Sequence, residues 1–477
     1  MKRSIPRVIK NISFSMLSSI ISMIISAIVV LVVPKQMSTA GYGYYQLYIL
    51  YTGYAGFFQF GLIDGIYIRY GGAYYEQLDH RKLFSQNCIL WGYQLILLLL
   101  ICSVSFSFAS GERLFVFVFS AVEMVLANTR GLLTYVLQAT NRIKEGAISS
   151  TLGRVVFFLA VLGICFSGNV DFKLIIIADI AGRIVALLYS SIKCKEVVFR
   201  KITDFKYDAF ETKENIRVGF TLMISSIASL LIMGIVRMGM ENKWGIETFA
   251  RVSLTVSVSN LMVQFISAAA LVFFPMLRRI GGSFIERIYI SVKRTFMPLL
   301  YVSLLLYYPI SRLLIIWLPK YETGLQYMAM LFPICIYEGR MSLLNYTYLK
   351  TVSDIKTIFK ANVAAMLVSL LLTVVSVYII GSIPLTMFSV LIAIMIRCYI
   401  TDYMISQKIK IPFFPEFAVE MTLMLGFILS AWFVKSILST MIYLALLLAY
   451  FYMTKGKLKQ GLSDIKCIIR ENRKENG

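Results

Sequence analysis

Twelve ionisable residues lie within or beside long apolar runs: Asp64, Glu123, Arg130, Arg154, Asp179, Arg183, Arg237, Arg312, Glu338, Arg340, Arg397 and Asp402. A charge at the centre of a bilayer costs about 2.5–3.5 kcal/mol even on a lenient insertion scale, so each one demands a partner or a function. All seven cations are arginine and none is lysine. Arginine stays charged when desolvated and presents a planar fork to phosphate oxygens, which makes a phosphate-bearing ligand the natural target. Asp179 and Arg183 are one helical turn apart and are placed to neutralise each other. Arg237 and Arg312 sit near the ends of their runs, where long side chains can reach the interface. Arg130 shares a helical face with Glu123 and Thr134 and precedes Leu132-Leu133-Thr134-Tyr135; Arg340 precedes Leu343-Leu344-Asn345-Tyr346 in the same manner. This reads as a repeat-related pair facing a cationic cavity, with Arg154 and Arg397 as further candidates. The competing reading is structural, with Glu123 and Glu338 as the partners of Arg130 and Arg340.

Uncharged polar residues supply a second signal. Ser253, Ser257, Asn260, Gln264 and Ser267 step by four, three, four and three along one helical face. A lone hydroxyl in a span serves helix packing more often than a lumen, but a stripe that includes Asn and Gln points to water or ligand. Tyr42 to Tyr45 suit an aromatic belt, whereas Tyr48, Tyr51 and Tyr54 lie deeper and offer faces for sugar rings, Tyr48 and Tyr51 being the candidates. Asp64, Glu123 and Glu338, with Asp402 beside them, are the carboxyls available to carry a coupling proton. The single histidine, His80, and seven cysteines without a CxxC pattern assemble neither a metal site nor a disulfide framework, so no cofactor is expected.

These residues must be positioned by membrane helices. The 477 residues are 58% hydrophobic and 15% charged, with mean hydropathy +0.76, the composition of an all-α polytopic membrane protein. The net charge of +22 has a cause other than nucleic acid, because 33 of the 47 basic residues fall in alternate loops. About fourteen spans are expected, near 12–33, 44–67, 88–108, 114–137, 147–167, 173–193, 218–239, 249–274, 295–318, 324–349, 360–381, 384–406, 415–434 and 437–454. Both termini are then cytoplasmic, and the first span is long enough to remain as an anchor. Phe220-Thr-Leu-Met-Ile-Ser-Ser-Ile-Ala-Ser aligns without a gap on Phe14-Ser-Met-Leu-Ser-Ser-Ile-Ile-Ser-Met, so the chain reads as two halves on one plan. The expected organisation is an N-lobe (1–193), a cytoplasmic linker (194–217), a C-lobe (218–406), two extra spans (407–454) and a basic tail (455–477). No soluble catalytic domain is left over, so a transporter is expected and not an enzyme.

The serine-striped first span, Gly41-Tyr-Gly-Tyr-Tyr45, Phe60-Gly-Leu62 and Phe274-Pro-Met-Leu-Arg-Arg279 resemble the polysaccharide flippases of the multidrug/oligosaccharidyl-lipid/polysaccharide (MOP) exporter superfamily. The resemblance implies a MATE-like arrangement of two six-helix lobes plus two C-terminal helices. It also implies alternating-access transport of undecaprenyl-pyrophosphate-linked repeat units across the bacterial cytoplasmic membrane for capsule, O-antigen or exopolysaccharide. In that setting the arginines would take the pyrophosphate, and hydroxyls and tyrosines the sugars. Membrane lipids, a polysaccharide polymerase and glycosyltransferases are the partners it implies. Peptidoglycan-precursor flippases and cation-coupled multidrug exporters share the superfamily, and a membrane polysaccharide polymerase is the rival from another class.

Overall fold

The computed structural model describes the backbone of residues 5–278, 285–352, 354–434 and 436–475, and side chains from Phe14 through Ile266 and Ile285 through Cys467 apart from Ser15, Ser353, Lys435 and Lys466. Ser267, Phe274-Pro-Met-Leu-Arg278, Lys466 and the basic tail beyond Cys467 therefore fall outside the described side chains, and Arg279 outside the described backbone. The described chain is helical. Eleven helices among the described residues are long and apolar enough to cross a membrane. The difference from the expected fourteen has a physical origin in three places. Ala209–Arg278, one stretch among the eleven, is two helices that meet at Gly245, whose backbone (φ 78°, ψ 178°) is non-helical and suits glycine, between the expected spans 218–239 and 249–274. The expected spans 44–67 and 324–349 are each broken into short pieces.

The chain forms two compact units, Met1–Leu231 and Ile232–Gly477, and the division falls within the first of those two helices, before Gly245; the two together are labelled α9. The first unit contains α1 (Ile5–Gln36), α2 (Thr39–Thr52), α3 (Leu62–Arg69), α4 (His80–Phe108), α5 (Gly111–Ala139), α6 (Ile143–Ser167), α7 (Phe172–Lys193), the short α8 (Lys195–Val198) and the start of α9 (Ala209–Arg278). Helix α5 is its centre, packed against α2, α3, α4, α6 and α7. Between α2 and α3 the chain makes a 3-10 turn at Ala55–Gln59, which frees carbonyls inside an apolar environment. Such groups need internal partners where water is excluded. Gln94 Nε2 donates to the Phe58 carbonyl at 2.7 Å, Asn128 Nδ2 to Ala55 at 3.0 Å and the Tyr93 hydroxyl to Gln59 at 3.2 Å. Two of the buried polar side chains of α4 and α5 thus exist to hold a broken span together.

The rest of α9 opens the second unit. It is followed by α10 (Ile285–Ser303), α11 (Tyr307–Trp317), α12 (Glu322–Leu325), α13 (Met328–Leu331), α14 (Ile334–Arg340), a π-turn at Met341–Asn345 and α15 (Tyr346–Thr351). Then come α16 (Ile355–Thr373), α17 (Ile383–Ile409), α18 (Phe414–Phe433) and α19 (Ile437–Glu475). Helix α17 packs on α13, α14 and α16, while α10 packs on α14 and α19. The π-turn follows from the sequence. The first half has one residue between Arg130 and its Leu-Leu pair and the second has two, Met341 and Ser342, after Arg340. A π-turn closes on i+5 and so absorbs the additional residue within a helix.

Candidate functional site

In the first unit, α2, α5, α6 and α7 bring charged groups together. Asp179 and Arg183, one turn apart on α7, form their expected pair, with Arg183 Nε 2.7 Å from Asp179 Oδ2. The same guanidinium is ion-paired to Glu123 of α5. The Tyr48 hydroxyl of α2 donates to Asp179 Oδ2 at 2.8 Å. Glu123 is buried and its Oε2 has no hydrogen-bond partner among the described residues. Beside this cluster, half-buried Arg130 donates through Nη1 to the Ser150 hydroxyl of α6 at 3.2 Å. Ser150 lies one turn before Arg154, which is exposed. Arg183 is paired with two carboxylates, whereas Arg130 and Arg154 have no ion pair among the described residues; the three arginines and two carboxylates sum to one net positive charge. The geometry leaves two guanidinium groups available to an anion.

The second unit treats its arginines differently. Arg340, 1% exposed, places Nη1 2.6 Å from Asp402 Oδ2 and Nη2 2.7 Å from Glu420 Oε2, and donates to the Tyr301 hydroxyl at 3.2 Å. Asn345 Nδ2 donates to Asp402 Oδ1 at 2.7 Å, and the Tyr289 hydroxyl donates to Asn345 Oδ1 at 3.0 Å. The π-turn sets this up, because it brings residues five apart, Arg340 and Asn345, onto one carboxylate. Arg397 is likewise 1% exposed and paired with Glu338. These contacts correct two expectations. Arg340 and Arg397 do not face an open chamber, since burial of a guanidinium in an apolar lobe requires carboxylates and both have them. Nor does the competing structural pairing form: Glu338 pairs with Arg397 and not Arg340, and Glu123 with Arg183 and not Arg130.

The remaining candidates divide similarly. Tyr48 is buried and its hydroxyl is spent on Asp179, so it anchors the cluster and offers no face to a sugar. Tyr51 stacks on Phe117, ring centroids 5.0 Å apart. Asp64 accepts from Gln59 Nε2 at 2.7 Å at the start of α3, while Gln59 Oε1 accepts the Ile63 amide; the carboxylate belongs to the junction that closes the broken span. Along the α9 stripe, Ser253 is buried and accepts from Arg237 Nη2 at 3.0 Å, Ser257 is half-buried, and Asn260 and Gln264 are exposed. Arg237 therefore turns inward to Ser253 and over the Phe249 ring. Sequence reasoning missed Glu420, although a carboxylate inside the apolar run 415–434 is the same signal that flagged the others.

The architecture is that of MOP-superfamily transporters. A multidrug MATE transporter in an inward-facing conformation matches with TM-score 0.59 at 12% identity, over 84% of this chain and 98% of its own. The lipid II flippase MurJ, in an inward closed conformation, matches with TM-score 0.59 at 14% identity, over 93% and 99%. A MOP-superfamily transporter from Pyrococcus furiosus, described as having a binding pocket of reversed polarity, matches with TM-score 0.52 at 12% identity, over 84% and 96%. No curated protein matches by sequence. The model of the polysaccharide biosynthesis protein family matches residues 8–281, more than half of the chain, and the chain belongs to that family.

Proposed function

We propose that this protein moves polyprenyl-pyrophosphate-linked oligosaccharide repeat units from the inner to the outer leaflet of the cytoplasmic membrane by alternating access, supplying a surface polysaccharide. The observation that carries this reading is the excess of cation in the first unit. Arg130 and Arg154 have no carboxylate of their own, and with the Glu123–Arg183–Asp179 cluster beside Arg130 they leave one positive charge over. A diphosphate fits that arrangement, because a guanidinium binds phosphate oxygens through charge-assisted paired hydrogen bonds. Family membership supports the glycan part of the cargo, and the fold supports alternating access of a membrane transporter. The rigid part of the site is Glu123–Arg183–Asp179–Tyr48, which ties α5, α7 and α2 together and fixes the face from which Arg130 and Arg154 project.

The test is substitution of Arg130 and Arg154 by alanine, singly and together, in cells that make a surface glycan. Lipid-linked repeat units should accumulate on the inner leaflet while the amount of folded protein is unchanged. Normal surface glycan from the double variant would remove both arginines from the site. Accumulation of a peptidoglycan precursor in place of a repeat unit would reassign the cargo.

A further inference from the structure

Away from the arginine clusters, α10, α18 and α19 of the second unit enclose an open pocket. Its wall is apolar, from Met297, Pro415, Val419 and the Tyr450 ring. Its floor carries charges that cancel. Glu416 Oε2 lies 2.8 Å from Lys293 Nζ, and Glu420 is held by the buried Arg340. Arg294, Lys457 and Thr454 complete the lining. Arg294 has no carboxylate partner among the described residues, and Lys457 reaches only the already paired Glu416, at 3.9 Å. The unbalanced charge of the lining is therefore positive. Next to the lining residues Pro415 and Thr454 in sequence, Phe414, Tyr452 and Met453 are about 70% exposed, a surface that suits hydrocarbon and not water.

We infer that this pocket binds the phosphate of an anionic phospholipid, with Arg294, Lys457 and Thr454 on the headgroup and Met297, Val419 and Tyr450 against the glycerol and upper acyl chain. The combination requires an amphiphile. A free phosphate would leave the apolar wall and the exposed aromatic surface without a partner, and a zwitterionic lipid would bring its cation to a floor where both carboxylates are already engaged. The basic residues of the site come from α10 and α19, and the start of α18 brings the two carboxylates they face; lysine and arginine collect on the membrane side that carries anionic lipid. It is independent of the cargo reading, because it concerns a resident lipid and residues outside the Arg130 cluster.

The full-length protein in micelles is titrated with dioleoylphosphatidylglycerol, dioleoylphosphatidylcholine or inorganic phosphate while thermal unfolding is followed. Phosphatidylglycerol should raise Tm saturably, and the other two should not. R294Q/K457Q removes two interfacial cations and should raise the half-saturating phosphatidylglycerol concentration roughly thirtyfold. K356Q/K360Q removes the same charge from α16, away from the pocket lining, and should leave it within about twofold. Val419→Trp plugs the wall with every charge in place and should reproduce the loss, which keeps the test available if R294Q/K457Q does not fold. Unchanged half-saturation in Val419→Trp or R294Q/K457Q overturns the site. An equal response to phosphatidylcholine overturns recognition of charge, and an equal response to phosphate alone overturns the lipid assignment.

Discussion

Arg340→Ala separates a cage from a ligand site. The arginine is 1% exposed and balances Asp402 at 2.6 Å and Glu420 at 2.7 Å. Its removal leaves two buried carboxylates sharing a space, with Asn345 on Asp402 as the remaining side-chain donor the geometry provides to that pair. Breaking one buried ion pair by removing one partner costs about 3–5 kcal/mol. With two carboxylates stranded and a large side chain deleted, that range is a lower bound. The protein should therefore lose most of its folded yield, and surface glycan should fall in proportion to protein level. The neutral replacement R340M/D402N/E420Q removes the stranded charge and should recover most of the stability, since apolar or neutral substitutes for buried ion pairs are often tolerated. Yield and thermal unfolding in micelles, read beside surface glycan, decide the matter. Wild-type stability in Arg340→Ala would refute the cage, as would a triple variant no more stable than the single one. Arg130→Ala is the contrasting case: it forfeits one hydrogen bond to Ser150, about 0.5–1.5 kcal/mol, and should leave the fold intact.

Three further outcomes follow from particular contacts. Gln94→Leu leaves the Phe58 carbonyl of the broken second span without its donor and should destabilise the first unit by about 1–3 kcal/mol, measured by thermal unfolding. At Gly65 a methyl group would fall 1.8 Å from the Asn215 carbonyl oxygen, so Gly65→Ala should cost about 3 kcal/mol as α3 and α9 are forced apart, visible as faster proteolysis of the first unit. Asp354, at the start of α16, accepts from Lys408 and from Thr357; burial alone would raise its carboxyl, but these bonds outweigh it and hold it below its ordinary value. A depressed carboxyl stabilises the fold above its unfolded pKa of about 4, and the contribution is lost as pH falls through the lower folded value. The Tm difference between wild type and Asp354→Asn should accordingly be present at pH 6 and shrink below about pH 4; a difference constant from pH 6 to pH 3 would contradict the pairing.

What the sequence made legible was local. Asp179 and Arg183 are one turn apart, so a helix alone puts them in contact. The partners of Arg340 are 62 and 80 positions away, on α17 and α18, and no helical period connects them. Span two was read as continuous because glycine and aromatic residues keep mean hydropathy high across Gly53, Gly56 and Gly61. The structure breaks there because the unpaired backbone finds Gln94, Asn128 and Tyr93, whose pairing with that segment is a tertiary fact. Hydropathy divided 218–274 into two spans, and the break between its two helices falls at Gly245, inside the expected gap. The membrane class was legible for the opposite reason: it rests on composition summed over the whole chain and does not depend on any one contact.

The repeat itself accounts for the different fates of its two arginines. Arg130 and Arg340 occupy corresponding places before a Leu-Leu-polar-Tyr sequence, but the second copy carries one more residue. That residue is taken up as a π-turn, which swings Asn345 onto Asp402 and completes a carboxylate cage around Arg340. Where the extra residue is missing, α5 stays regular, and Arg130 meets only the Ser150 hydroxyl. The same motif thus yields an ion-paired, structural arginine in one half and an arginine without an ion pair in the other. On the proposed reading, the diphosphate supplies the carboxylate-like partner that the first half lacks. Charge-removing substitutions in the first half should then separate transport from stability, while those in the second half should lower both together. A chain in which Arg130→Ala and Arg340→Ala lost folded protein equally would show that the inserted residue made no such distinction.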